Sequence, residues 1–226
     1  MVFMVEVKSE ISKVKPASDY PIEDGDYIRG NDFSPAAVAV ILNAPREEGK
    51  EIPPEVEKLV RVTIETGAAL AGTLQTENTG IEKMICNIVA NPNIRYLVLC
   101  GKEIEGHQTG SAIKGLMENG IDDKRTIIGS NAVTPYLFNI PLKAIKRFRE
   151  QITLIDLLNE IDPEKIKKAV WSCYQEKPTK FMNYDLYDPG AYHEPPISCG
   201  LTWKIKHPEL IEDWEIDGNF IKELED

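Results

Sequence analysis

The chain has 226 residues, with 26 lysines and arginines against 37 aspartates and glutamates, a formal net charge of -11. That length suffices for one large domain with an appendage, and the acidity excludes a nucleic-acid surface, which needs basic groups against phosphate. No apolar run approaches the ~20 residues of a membrane helix, and residues 1–10 lack the long apolar core of a secretory signal. The expectation is a cytoplasmic protein with no membrane insertion of its own. Cys86, Cys100, Cys173 and Cys199 form no Cys-x-x-Cys pair, which suits reduced thiols rather than a disulfide framework.

In chain order, residues 1–18 are mixed in charge and read as an arm. "SPAAVAVILN" opens with a helix-start signature, Ser34 as cap and Pro35 in the first turn. "PREEGKEIPPEV" is polar and rich in turn formers, a loop, and "PPEVEKLVRVTIETG" is a helix ending near Gly67. "AALAG" is a short buried strand, followed by the polar loop "GTLQTENTG". Ile81, Met84, Ile85, Ile88 and Val89 then recur at helical spacing, up to the stop "NPN". "IRYLVLCG" does not alternate and reads as a strand buried on both sides, with Cys100 inert at its end. "TGSAIKGLMENG" is a helix burying Ala112, Ile113, Leu116 and Met117, and "RTIIGSNA" a further strand. "IPLKAIKRFREQI" is a helix with Ile145, Phe148 and Ile152 inward. "TLIDLL" is the last strand and "DPEKIKKAVWSCYQEKP" the last helix, capped by Asp162. Residues 181–226, rich in aromatics, prolines and acids, form a C-terminal extension wrapped on the surface, with "LTWKIKH" as a possible strand. Trp171, Trp203 and Trp214 read as packing residues.

Strands alternating with helices predict an α/β fold: a Rossmann-like doubly wound parallel sheet with helices on both faces, over residues 19–180. Ligands of such sheets bind in loops at the carboxyl ends of the strands. Three loops fall there, at residues 73–80, 102–110 and 130–135.

His107 lies in the middle loop, between Gly106 and Gln108, and is open to four roles. It could be a satisfied surface histidine, an acid–base partner of a nucleophile, part of a phosphate site, or a metal ligand. No Gly-x-Ser-x-Gly elbow, dinucleotide fingerprint or Walker lysine accompanies it. Glycines beside an exposed imidazole would let it reach a metal carried in a large flat cofactor. His193, Cys199 and His207 match no standard zinc spacing. Thr76, Glu77 and Asn78 fit a helix cap as well as a ligand contact, and Thr109 fits a cap of the next helix.

Several segments together resemble the MtrA family, the corrinoid-carrying component of tetrahydromethanopterin S-methyltransferase, an archaeal methyltransferase of methanogenesis. They are Thr-Glu-Asn-Thr-Gly-Ile-Glu-Lys from Thr76 to Lys83, Asn-Pro-Asn-Ile-Arg from Asn91 to Arg95, and Gly-His-Gln-Thr-Gly from Gly106 to Gly110. "DYPIEDGDYIRGN" and "PYLFNIP" also fit the family. The resemblance implies a bound cobamide, a cobalt corrinoid, with His107 as lower axial ligand of the cobalt and the residue central to catalysis. By position, Gly72, Thr73, Thr76, Glu77, Gly101, Gly106, Gln108, Thr109, Gly110, Ser130, Asn131 and Pro135 are the candidate cofactor-binding residues. The implied reaction moves a methyl group from methyl-tetrahydromethanopterin to a thiol such as coenzyme M. The implied protein partner is a methyl-tetrahydropterin methyltransferase subunit. Full-length family members end in an acidic linker and a membrane helix. The aromatic, proline-rich extension here suggests a soluble relative instead. The alternatives are a non-catalytic or regulatory cobamide-binding homologue, a carrier with another methyl acceptor, and an unrelated α/β phosphate- or nucleotide-binding enzyme.

Overall fold

The run Ala36–Ile41 forms strand β2, not the helix that Ser34 and Pro35 suggest. Ala37, Ala39 and Ile41 enter one core, while Ala36, Val38 and Val40 enter another. A six-residue run, apolar on both sides and containing valine and isoleucine, fits the centre of a sheet covered on both faces better than a three-turn helix. The Ser34 hydroxyl, itself buried, accepts a hydrogen bond from the Ala36 N–H instead. The structure, a computed structural model, describes residues 11–43 and 52–201. Most of the loop expected at residues 45–56, and nearly all of the strand expected at 201–207, lie outside the described residues.

Strand β2 has β3 (Leu70–Leu74) on one side and β4 (Tyr96–Cys100) on the other, with β5 (Thr153–Asp156) beyond β4. These four strands are parallel. The sheet is nevertheless mixed, because β1 (Tyr27–Arg29) adds an antiparallel edge to β3. The segment "RTIIG" does not join it. Among the described residues it makes only isolated bridges, Ile121 with Ile127 and Thr126 with Tyr136. Arg125 explains the departure. Its backbone is left-handed at φ 64, and its buried guanidinium donates to the carbonyls of Leu137 and Ile140, so the chain curls around a cation.

Helices α1 (Pro54–Thr66) and α5 (Pro163–Cys173) pack on the Val38 face, while α2 (Thr79–Val89), α3 (Thr109–Asn119) and α4 (Leu142–Gln151) pack on the Ala37 face. Each presents the apolar stripe its spacing predicts, with Ile81, Ile85, Leu116 and Phe148 fully buried. Helix α1 ends at Gly67 in the left-handed conformation, and Asp162 caps α5 by accepting from the Glu164 N–H. Trp171 faces outward from α5, 54% exposed, and is not a packing residue.

Two consequences position the site. The chain leaves the carboxyl end of β2 through α1 to β3, and that of β4 through α3 to β5. These connections diverge in direction and lie on opposite faces, which opens a crevice between the ends of β2 and β4. The amino end of the sheet, by contrast, is clad. Val14 exchanges hydrogen bonds with the Asn93 side chain, and Ala17 N–H donates to Ala90. Residues 188–201 return beside this segment after the hairpin of β6 (Thr179–Phe181) and β7 (Tyr184–Leu186). Ala191 N–H donates to Ser12, Lys13 pairs with Asp188 at 2.7 Å, and Arg147 stacks 4.1 Å from the Tyr192 ring.

Candidate active site

The three loops singled out by the sequence converge at the carboxyl end of the sheet. The first, after β3, sends the Glu77 side chain inward until it is 1% exposed. A buried carboxylate must be hydrogen-bonded to remain charged, and this one is bonded on both oxygens. Oε1 accepts from the Thr134 N–H at 3.1 Å and the Thr134 hydroxyl at 2.7 Å, and Oε2 lies 2.8 Å from His107 Nδ1. Burial alone would raise the pKa of Glu77. Its own backbone N–H, the Thr134 hydroxyl, the His107 ring and the Thr134 N–H outweigh that and hold it below the usual carboxylate range. Ionised Glu77 can only accept, so Nδ1 carries the proton and Nε2 the lone pair. The His107 side chain is 51% exposed, so the ring is anchored at one nitrogen and accessible from solvent.

Other contacts tie the loops together. The Thr109 hydroxyl donates to the Gln75 carbonyl at 2.6 Å, and Asn78 Nδ2 donates to Thr134 Oγ1. The Asn131 N–H donates to Ser111 Oγ at 3.2 Å. Thr109 therefore joins two loops and does not cap α3. That cap is Glu103, whose Oε1 accepts from the Gly110 N–H and Oε2 from the Ser111 N–H. A carboxylate already occupies the anion-attracting end of α3, which removes the phosphate reading of this turn.

The remaining candidates divide. Gly106, with open space where a Cβ would be, borders a crevice of about 530 Å³ together with Asn43, Lys102, Glu103, Glu105 and Asn159, at the divergence of β2 and β4. Gly72, Thr73 and Thr76 border a separate cavity of about 340 Å³ between β3 and α2, which neither Glu77 nor His107 lines. Gly72 is also required by packing, since a Cβ there would meet that of Tyr27 at 2.6 Å. Gly101 has φ +87 and would meet the Ile41 backbone at 2.8 Å, and Gly110 would meet Leu158 at 2.4 Å. Those two glycines serve the close approach of elements, not ligand access. Thr76 and Asn78 cap α2, accepting from the N–H groups of Gly80 and Thr79. Gln108 adopts φ 48 at the start of α3, with its side chain on the Glu105 carbonyl. Ser130 accepts from Ala132, and Pro135 contributes only its carbonyl, to Ile127. Sequence reasoning missed Thr134 and Glu103. Thr134 has no spacing signal, and Glu103 sits seven residues ahead of the N–H it caps, outside capping-box spacing.

The paired Glu77 and His107, at the ends of two adjacent loops, lie inside a stretch of chain with known relatives. The profile of the MtrA family, the A component of tetrahydromethanopterin S-methyltransferase, matches residues 13–198, which include all three loops and both cladding segments. The A component numbered 1 of that enzyme from Methanothermobacter thermautotrophicus is 41% identical over 185 residues, 81% of this chain and 67% of the relative. The A component numbered 2 from the same organism is 36% identical over 201 residues, 88% of this chain and 93% of the relative. The corresponding protein from Methanopyrus kandleri is 40% identical over 202 residues, 88% and 72% of the two chains. Among the described residues no helix is long and apolar enough to cross a membrane. On the extent of these matches, the chain belongs to the MtrA family of tetrahydromethanopterin S-methyltransferase subunits.

Proposed function

We propose that this chain binds a cobamide and serves as the methyl carrier between methyl-tetrahydromethanopterin and a thiol such as coenzyme M. The Glu77–His107 pair supports this more than any other observation. Its donor chemistry fits: a neutral imidazole, proton fixed on Nδ1 by a buried carboxylate, presents Nε2 as a ligand from a half-exposed position. The uncrowded Gly106 and the exposed Val133, next to Thr134, leave room for a broad apolar face. When bound, the cobalt supplies a centre that accepts and releases a methyl group.

The chain's own residues do the rest. His107 donates the Nε2 lone pair to the metal as axial ligand. Glu77 fixes the tautomer and aims the ring, and Thr134 fixes Glu77. Because His107 precedes α3 and is not within it, the ring can leave the metal by loop movement without unwinding a helix. A proton competes with metal for Nε2, so acid weakens ligation. On this proposal the protein works in the cytoplasm, and its protein partner is a methyl-tetrahydropterin methyltransferase subunit.

The test uses a cobamide whose own base cannot coordinate. His107→Ala should abolish the nitrogen-ligand signature in the paramagnetic-resonance spectrum of the cobalt(II) form while leaving corrin binding detectable. An unchanged signature would return His107 to a surface role. A methyl-transfer assay with the partner methyltransferase then separates a carrier from a non-catalytic cobamide-binding homologue.

A further inference from the structure

Away from the site, Cys86 of α2 and Cys199 of the C-terminal extension lie with their sulfurs 3.9 Å apart. The approach is held from both sides. Ile197 N–H donates to the Val89 carbonyl at 3.0 Å, the Ser198 hydroxyl to Asp19 at 2.5 Å, and Leu201 N–H to Glu23 Oε1 at 2.8 Å. Forming a bond of about 2.05 Å would require the sulfurs to close by roughly 1.9 Å, within the reach of side-chain rotation and a small strap movement. We propose that Cys86 and Cys199 are a modification site: a dithiol that low-molecular-weight disulfides oxidise to an intrachain disulfide, pinning residues 197–201 to α2.

The two thiols differ in the way this chemistry needs. Cys199 is half-buried, and its hydrogen bond with Cys86, assisted by Lys143, lowers its pKa despite partial burial. The same bond and full burial raise Cys86. Cys199 therefore attacks first, as thiolate, on one sulfur of the reagent. Its S–S bond to the reagent forms, the reagent's own S–S bond breaks, and one reagent thiolate leaves. Cys86 then attacks the Cys199 sulfur and gives up its proton, and the second reagent thiol leaves. Two protein thiols are oxidised, and one reagent disulfide is reduced to two thiols. Cys100 and Cys173 provide internal controls, since both are buried in the opposite core, and burial pushes Cys100 up to about 12.

The probe is oxidised glutathione applied to the native, reduced chain. The expected product has lost the mass of two hydrogens, bears no adduct, and yields one peptide linking Cys86 to Cys199. Its melting temperature exceeds that of the reduced form, and dithiothreitol reverses the gain. Cys86→Ala should instead accumulate glutathione on Cys199, because nothing resolves the mixed disulfide. Cys199→Ser should react about tenfold slower or more, its remaining thiols being buried. A wild-type protein that keeps the adduct, or a link that joins other cysteines, would overturn the proposal. The wild-type outcome decides the matter even if Cys86→Ala fails to fold.

Discussion

Replacing Glu77 by Gln changes one oxygen into an NH₂ group at nearly constant volume, inside a site with three donors around the carboxylate. Turning the amide oxygen toward His107 would set the NH₂ against the Thr134 N–H, two donors facing each other at 3.1 Å. Turning it toward Thr134 keeps both Thr134 bonds and points the NH₂ at Nδ1. The second arrangement loses one charge-assisted bond, about 1.5–3 kcal/mol, and forces the ring to accept at Nδ1 and carry its proton on Nε2. Glu77→Gln should therefore lower stability by that amount and reverse the tautomer of His107. Urea denaturation measures the first, and long-range proton–nitrogen NMR at about pH 8, above the ordinary histidine range, measures the second. His107→Ala identifies the signal among the three histidines. The pH dependence has a definite sign. Because folding lowers the pKa of Glu77, its ionised form contributes stability above the ordinary carboxylate value of about 4.3, and that contribution is lost as pH falls through the lower folded value. Wild type and variant should thus converge in acid. A variant of unchanged stability that still carries its proton on Nδ1 would refute the carboxylate's orienting role.

Two further outcomes follow from the loop after β4. Gly101→Ala combines a left-handed φ with a Cβ 2.8 Å from the Ile41 backbone and should cost about 2 kcal/mol or more, whereas Gly106→Ala meets nothing and should stay within about 0.5 kcal/mol; thermal denaturation compares them. Glu103→Ala uncaps α3 and should cost about 1–2 kcal/mol, with faster amide exchange at Gly110 and Ser111 and slower-exchanging amides retained in β4.

The elements most legible in the sequence were those whose pattern is local. Helix α2 announces itself through Ile81, Ile85 and Ile88, and β4 through five consecutive apolar residues. Strand β2 was misread because Ser34 and Pro35 are genuine helix-start residues, and local propensity yields to burial on both faces. "RTIIG" looked like a strand for the opposite reason. Its β-branched residues are real, but the adjacent Arg125 needs buried carbonyl partners that only a curled chain supplies. At the site, His107 stood out by its glycine surroundings. Its partner Glu77 was visible only as a cap or ligand candidate, because the 30 residues between them are brought together by the sheet. Thr134 depends on a third loop whose course no spacing reveals.

The cladding at the amino end of the sheet has a consequence for biosynthesis. Lys13 meets its partner Asp188 across 175 positions, and Asp19 meets Ser198 across 179. A ribosome releases the first partner of each pair long before it makes the second. The parallel sheet and its helices, whose contacts span shorter distances, can assemble while the amino-terminal segment still waits, since closing so long a loop carries an entropy cost until the second partner is available. Zippering of residues 11–20 against 188–201 is then the final act of folding, and a nascent chain arrested before Asp188 should show an ordered sheet with its first twenty residues open to protease.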